Sequence, residues 1–237
     1  MRTKKKVLDF THFASMSKNF YGNPTLHQKK IMDADSPLWD LYKEKGLWER
    51  HVALQYPGEE ESKNEIKELI AAQELTKDPS NKNYLSPQFI KDVEEDHYGV
   101  WHRWLTSQGA TTSLKSIKAF MDSTDKILFK LKYHFQRTRP SQFAFLNNMP
   151  LYPILNSDAD SPAYPGGHAL DAYKMGYAVG KKFPDLKDKV EEFSEKTANT
   201  RIVGGVHYPS DHEFSKIIFN DLVKTGIMDK NLEIYPF

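Results

Sequence analysis

The chain has no cysteine. That excludes disulfide staples, thiolate catalysis and cysteine-ligated zinc, and it suits a reducing compartment. Charge of one sign is also missing, because 33 Lys+Arg stand against 32 Asp+Glu. Such a balance gives no support to a nucleic-acid or anionic-membrane partner, which would call for a basic surplus. No apolar run is long enough to span a bilayer. The segment Met1–Lys6 opens with basic residues, but Val7–His12 brings neither a sustained apolar stretch nor a small-residue cleavage site. It reads as a solvated tail rather than a secretory signal. Strand patterns, internal repeats and low-complexity tracts are absent too. The expectation is a soluble, cytoplasmic protein with no membrane span.

Helical periodicity is present almost throughout. At 237 residues the chain can bury a substantial core, and an all-α, single-domain helical bundle is the simplest reading. Residues 1–110 would complete the bundle and residues 111–237 would form its chemical core. From Lys63 to Lys77, Ile66, Leu69 and Ile70 share one face with most of the charge opposite, and Leu75 falls off the stripe. Ser86 and Pro87 look like a cap and first turn. Leu114, Ile117, Met121, Leu128, Leu131 and Phe135 predict one helix from Leu114 to about Arg137, ended before Pro140. Asn147 to Pro165 holds four prolines and reads as an irregular connection. Helices are predicted over His168–Phe183, with small residues for close packing, and again from Pro184, with Leu186, Val190, Phe193 and Thr197 inward. The last helix is expected to start with Ser210 and Glu213 as a capping box, to bury Phe214, Ile217, Ile218 and Leu222, and to stop at Gly226.

Three stretches carry the chemistry. In the first, Lys132 and Arg139 lie seven residues apart, two helical turns, so both would project from one face. A guanidinium binds two phosphate oxygens at once, and a lysine adds a point charge. The second, Pro165-Gly166-Gly167-His168, sets two glycines before a helix, where backbone N–H groups and the positive end of the dipole favour an anion. In the third, Arg201 precedes His207, and Asp211 follows four residues later. That step lets a carboxylate hold one imidazole nitrogen and leave the other free to attack. Each stretch also has an ordinary reading: a basic helix end, a Gly-Gly turn and a capping His–Asp pair.

Taken together, in this order and spacing, they resemble the signature of the type-2 phosphatidic acid phosphatase and vanadium haloperoxidase superfamily. That signature is Lys, six residues and Arg-Pro; Pro-Ser-Gly-His; and Ser-Arg, five residues, His, three residues and Asp. The resemblance covers Lys132 to Asp211, about a third of the chain. It implies a helical fold of that superfamily and a metal-independent phosphomonoesterase. Lys132, Arg139, Arg201, Gly166 and Gly167 would hold phosphate, His207 would attack phosphorus, Asp211 would support it, and His168 would protonate the leaving oxygen. Thr200 and Gly166 depart from the signature. At Gly166 a hydroxyl is lost, and a hydrogen bond to a charged group is worth about 1.5–3 kcal/mol. Ser161 or Tyr164 could offset it.

With no spanning helix, the expected substrate is a small polar phosphorylated molecule, and no cofactor or metal is required. Vanadate enters as an inhibitor, or as the cofactor of the alternative, a haloperoxidase. A catalytically weak phosphate- or nucleotide-binding protein is the non-enzyme alternative, and a homo-oligomer is compatible with all three. The aromatic run Trp101-His102-Arg103-Trp104 reads as core, His134 reads as facing solvent or a pocket wall, and His97 and His212 receive no role.

Overall fold

The computed structural model describes residues 23–152, 154–155 and 161–236. The basic tail Met1–Lys6 and part of the proline-rich connection therefore lie outside the described residues. Every regular element among the described residues is helical, and together they make one compact helical domain. In chain order the α-helices are α1 (Leu26–Asp33), α2 (Pro37–Glu44), α3 (Leu47–Val52), α4 (Glu59–Gln73), α5 (Pro87–Glu95) and α6 (His97–Ser107). They continue as α7 (Leu114–Asp122), α8 (Asp125–Phe135), α9 (Pro140–Leu146), α10 (Gly167–Lys182), α11 (Lys187–Val203), α12 (Pro209–Lys224) and α13 (Ile227–Ile234). None of them is long and apolar enough to cross a membrane.

Local chemistry starts many of these helices as the sequence suggests. Ser86 Oγ accepts the Phe89 N–H at 3.1 Å with Pro87 in the first turn, and Ser113 Oγ accepts the Ser116 N–H at 3.0 Å. Each such cap is worth about 1 kcal/mol. Leu75 lies in a 3-10 turn after α4, so the register does break there. Helix α10 packs on both α11 and α12. Close approach to α11 needs Gly176, where an added Cβ would stand 2.6 Å from Ser194 Oγ. The main apolar cluster surrounds α10 with Trp101, Phe120, Leu131, Val190 and Phe214. Phe214 stacks on Tyr164 with centroids 4.4 Å apart, and truncating such a ring to alanine costs about 3–5 kcal/mol. Trp101 is fully buried and Trp104 stacks on Phe193 at 4.7 Å, so the aromatic run is core.

Three expectations are corrected. The single helix over Leu114–Arg137 is two helices with a break at Ser123-Thr124. Lys174 Nζ donates to Met121 O at 2.6 Å and Ser123 Oγ donates to Phe120 O at 2.5 Å. These take carbonyls that residues 125 and 124 would engage in a continuing helix. Helix α8 then ends at Phe135, because Gln136 adopts a left-handed conformation at φ 52°. The helix expected to be last is α12, but α13 follows it after Gly226, and the α12 cap is not Ser210: Tyr208 precedes the helix, and Asp211 Oδ2 accepts the Tyr208 N–H at 2.9 Å. Ile217, expected inside, is 40% exposed.

Two smaller apolar clusters flank the main one. One contains Ile66, Ala163 and Tyr208, the other Ile90, Leu155, Val203 and Val206. The three signature stretches lie where all three clusters meet.

Candidate active site

The turn between α11 and α12 sets the geometry. Gly205 takes φ 79°, a conformation that favours glycine, and the N–H groups of Val206 and His207 both reach Arg201 O, at 3.1 and 3.2 Å. That reversal brings His207 back beside the end of α11. One turn into α12, Asp211 Oδ2 accepts from His207 Nδ1 at 2.9 Å. On the other side of the ring, Arg139 donates to His207 Nε2 at 2.9 Å. These neighbours assign the tautomer. A carboxylate can only accept, so the proton sits on Nδ1, and a guanidinium can only donate, so Nε2 presents its lone pair. His207 is thus a neutral imidazole with its basic nitrogen turned toward the cations.

Lys132 and Arg139 converge by a route other than the predicted one. Lys132 lies in α8, whereas Arg139 lies beyond its end as the residue before α9, so no common helix face joins them. Both instead grip one extended segment. Lys132 Nζ donates to Pro162 O at 2.5 Å, and Arg139 donates through Nε to Ser161 O at 3.0 Å and through a terminal nitrogen to Val206 O at 2.9 Å. Arg139 also reaches Ser161 Oγ at 3.3 Å, which places a hydroxyl among the cations. Tyr164 is turned away, stacked on Phe214.

Arg201 is buried and paired with Glu94 of α5, while its Nε has no partner. Burial pushes its guanidinium down to about 9. A cation this desolvated gains strongly from a further anion. Thr200 does not share the site, because its hydroxyl donates to Thr197 O at 2.7 Å within α11.

Gly167 opens α10 and His168 follows it; both keep partial exposure, whereas Lys132, Arg139, Gly166, Arg201, His207 and Asp211 are buried. Solvent therefore approaches from the first turn of α10. The N–H groups of Gly167 and His168 precede the first intrahelical bond, which Leu170 makes to Gly166 O at 3.1 Å. Gly166 differs: its own N–H donates to Asp211 O at 3.2 Å. A Cβ at Gly166 would lie 3.1 Å from His212 Cδ2, and one at Gly167 would lie 2.9 Å from Leu128 Cδ2. The imidazole of His212 fills the space beside Gly166.

The electrostatics of the site are uniform in direction. Burial, then the Arg139 and Lys132 cations, hold His207 well below the ordinary histidine range. The same three causes push His168 down to about 4, and burial with Arg201 takes His212 to about 3. His97 of α6 stacks on His168 with centroids 4.3 Å apart and is likewise held low by burial and by His168. Burial pushes the Asp211 carboxyl up, and Arg137 leads the groups that pull it back.

Several contributors were not read from the sequence. Arg137 is buried and donates to Asp211 Oδ1 and Glu65 Oε2, each at 2.7 Å. Glu94, His97 and His212 complete the surroundings. For Glu65 a signal existed: Ser62, Glu65, Ile66 and Leu69 follow helical spacing, so this carboxylate lies on the buried stripe of α4. His134 is exposed, with Trp48 at its edge, and takes no part. A groove of about 800 Å³ lined by Tyr173, Tyr177, Glu191 and Phe219 lies apart from the cluster and shares none of its residues. Among the described residues, no three His, Asp or Glu side chains form a group that could hold a metal ion. No protein-family model matches the sequence, and no curated protein matches it either.

Proposed function

We propose that the protein is a cytoplasmic phosphomonoesterase that hydrolyses a small polar substrate through a phosphohistidine, with the superfamily resemblance of its three stretches as the frame. The observation that carries the reading is His207: neutral, proton on Nδ1 against Asp211, lone pair on Nε2 against Arg139. Two further buried cations, Lys132 and Arg201, complete an anion cradle.

In the first step the Nε2 lone pair forms a bond to phosphorus and the ester P–O bond breaks. The leaving oxygen takes a proton from His168. Arg139 must release Nε2 for this and turn its donors to the phosphate oxygens, where developing charge rewards them most. In the second step His168 takes a proton from water, whose oxygen bonds to phosphorus as the P–N bond breaks. With no phosphate beside it His168 is neutral, since burial and the Arg139 and Lys132 cations push its imidazole down to about 4. The negative phosphate opposes the two cations that depress it, so substrate binding itself favours the protonated acid. Activity should accordingly be greatest below neutral pH and fall as pH rises and His168 loses its proton.

Phosphate release from p-nitrophenyl phosphate by the wild type and by His207→Ala tests the reading. The wild type should turn over with chelator present, be inhibited by vanadate and yield an acid-labile, alkali-stable phosphoprotein on rapid quench. Equal, slow release by both proteins would leave an anion-binding site and no enzyme.

A further inference from the structure

We propose that Arg137, clamped by Glu65, is a positioning residue that keeps Asp211 ionised and thereby keeps the His207 proton on Nδ1. The kinetic consequence rests on the phosphohistidine reading; the tautomer consequence rests on geometry alone.

Asp211 has its two oxygens fully assigned. Oδ2 accepts from His207 Nδ1 and from the Tyr208 N–H, each at 2.9 Å, and Oδ1 accepts from Arg137 at 2.7 Å. A proton on this carboxyl would turn one oxygen into a donor. Facing His207, that donor would require Nδ1 to accept, so the imidazole proton would have to move to Nε2. There it would meet the Arg139 donor, and the attacking lone pair would be gone. Keeping Asp211 charged therefore preserves the nucleophile.

Asp211 is fully buried, so it needs a counter-charge. The ionisable groups around it are Lys132 in α8, Arg137 and Arg139 beyond it, Glu65 in α4, Tyr164, His207 and Tyr208. Lys132 is bonded to the carbonyls of Pro162 and Ala163, and Arg139 faces Ser161, Val206 and His207. Arg137 hydrogen-bonds the carboxylate directly, at 2.7 Å, and heads the charges that keep it ionised. Its two terminal nitrogens are held by Ser210 Oγ at 2.6 Å, Ser62 Oγ at 3.2 Å and Glu65 Oε2 at 2.7 Å, with the Tyr208 ring 3.7 Å beneath the guanidinium, while its Nε is buried without a partner. Glu65 Oε1 also accepts the Ser210 N–H at 2.7 Å, tying α4 to the first turn of α12. A lysine would supply the charge and none of this bridging.

Arg137→Met removes the cation but leaves two buried carboxylates, so the double variant Glu65→Gln/Arg137→Met accompanies it and keeps the summed charge of the Arg137, Glu65 and Asp211 cluster. Long-range proton–nitrogen NMR of the histidine rings, in full-length protein from pH 5 to 9, reads the tautomer without any need for activity. His207 should show a protonated Nδ1 in the wild type. In the variants that proton should shift to Nε2 at the acid end, and the acid limb of kcat should move up by about one pH unit or more. Turnover should drop on the order of 100-fold with KM for p-nitrophenyl phosphate changed less than about threefold, and Arg137→Lys should recover part of the loss. An unchanged His207 tautomer together with an unmoved acid limb, in any folded variant, would overturn the role. If the wild type shows the expected ring pattern but no turnover, the phosphatase reading falls, and the tautomer shift in the variants alone upholds or overturns this inference.

Discussion

Among the described residues two buried His–Asp pairs stand out, and they differ in what faces the second ring nitrogen. His51 donates through Nε2 to Asp221 at 3.0 Å, and its Nδ1 meets the Tyr42 hydroxyl at 2.5 Å. Arg50 neutralises the same carboxylate, and aromatic rings enclose the pair. Both nitrogens of His51 are thus permanently spoken for. His207 has the same kind of carboxylate partner, but its second nitrogen faces a guanidinium that can choose another acceptor. Cations surround it, and solvent approaches past His168. A His–Asp pair becomes a nucleophile only when the far nitrogen is given an exchangeable neighbour.

The comparison breaks most sharply on substitution. His207→Ala should cut turnover by 10⁴-fold or so, the scale of losing a nucleophile, with a thermal midpoint close to wild type. His51→Ala should do the reverse. It strands the Tyr42 hydroxyl in the interior and leaves Asp221 with Arg50 as its counter-charge, at about 1–3 kcal/mol, while turnover per folded molecule is unchanged. Calorimetry and steady-state kinetics on both variants check this; a catalytic loss in folded His51→Ala would erase the distinction.

The next effect is on stability against pH. In the folded state His97, His207 and His212 are held below their ordinary range, and His168 near 4. The unfolded chain binds protons at these rings below about pH 6.5. Stability is therefore complete above that pH and declines as pH falls toward the folded values, by on the order of a few kcal/mol in total. His51, also held low, adds to the same trend. Inorganic phosphate should recover part of the loss at pH 5, since it compensates the cations of one pair and not the other. Denaturation midpoints that are flat from pH 7 to 5 would contradict the neutral, buried assignment.

The smallest expected effect is at Glu94. This carboxylate pairs with Arg201, so Glu94→Gln should tighten vanadate inhibition about three- to tenfold by removing an internal competitor. Weaker inhibition in the variant would show instead that Glu94 orients Arg201 for the anion.

Much of the helical order was legible in the sequence, because apolar spacing and short polar caps act locally. Ser86 with Pro87 and the slip at Leu75 are cases where a few residues suffice. The break at Ser123-Thr124 was not legible, because the local bond from Ser123 acts together with Lys174, which arrives from α10. The pairing of His207 with Asp211 could be read from a spacing of four. Arg139 was expected beside it through the resemblance, whereas Glu94 and His212 were not, and Glu65 was marked only by its place on an apolar stripe. Arg137 was invisible as a buried group, since nothing within its own stretch distinguishes it from a solvated cation at a helix end.

The contacts that bind Glu65 to Ser210 and Glu94 to Arg201 span 145 and 107 residues of sequence. On a ribosome, α4 and α5 emerge long before the residues they contact, and short helices gain most of their stability from packing that is not yet there. The pairing of these charges is complete only once the segment carrying Arg201, His207, Ser210 and Asp211 has been made and packs against α4 and α5. Released fragments, however well folded, would carry charged pieces of the cradle and none of its capability.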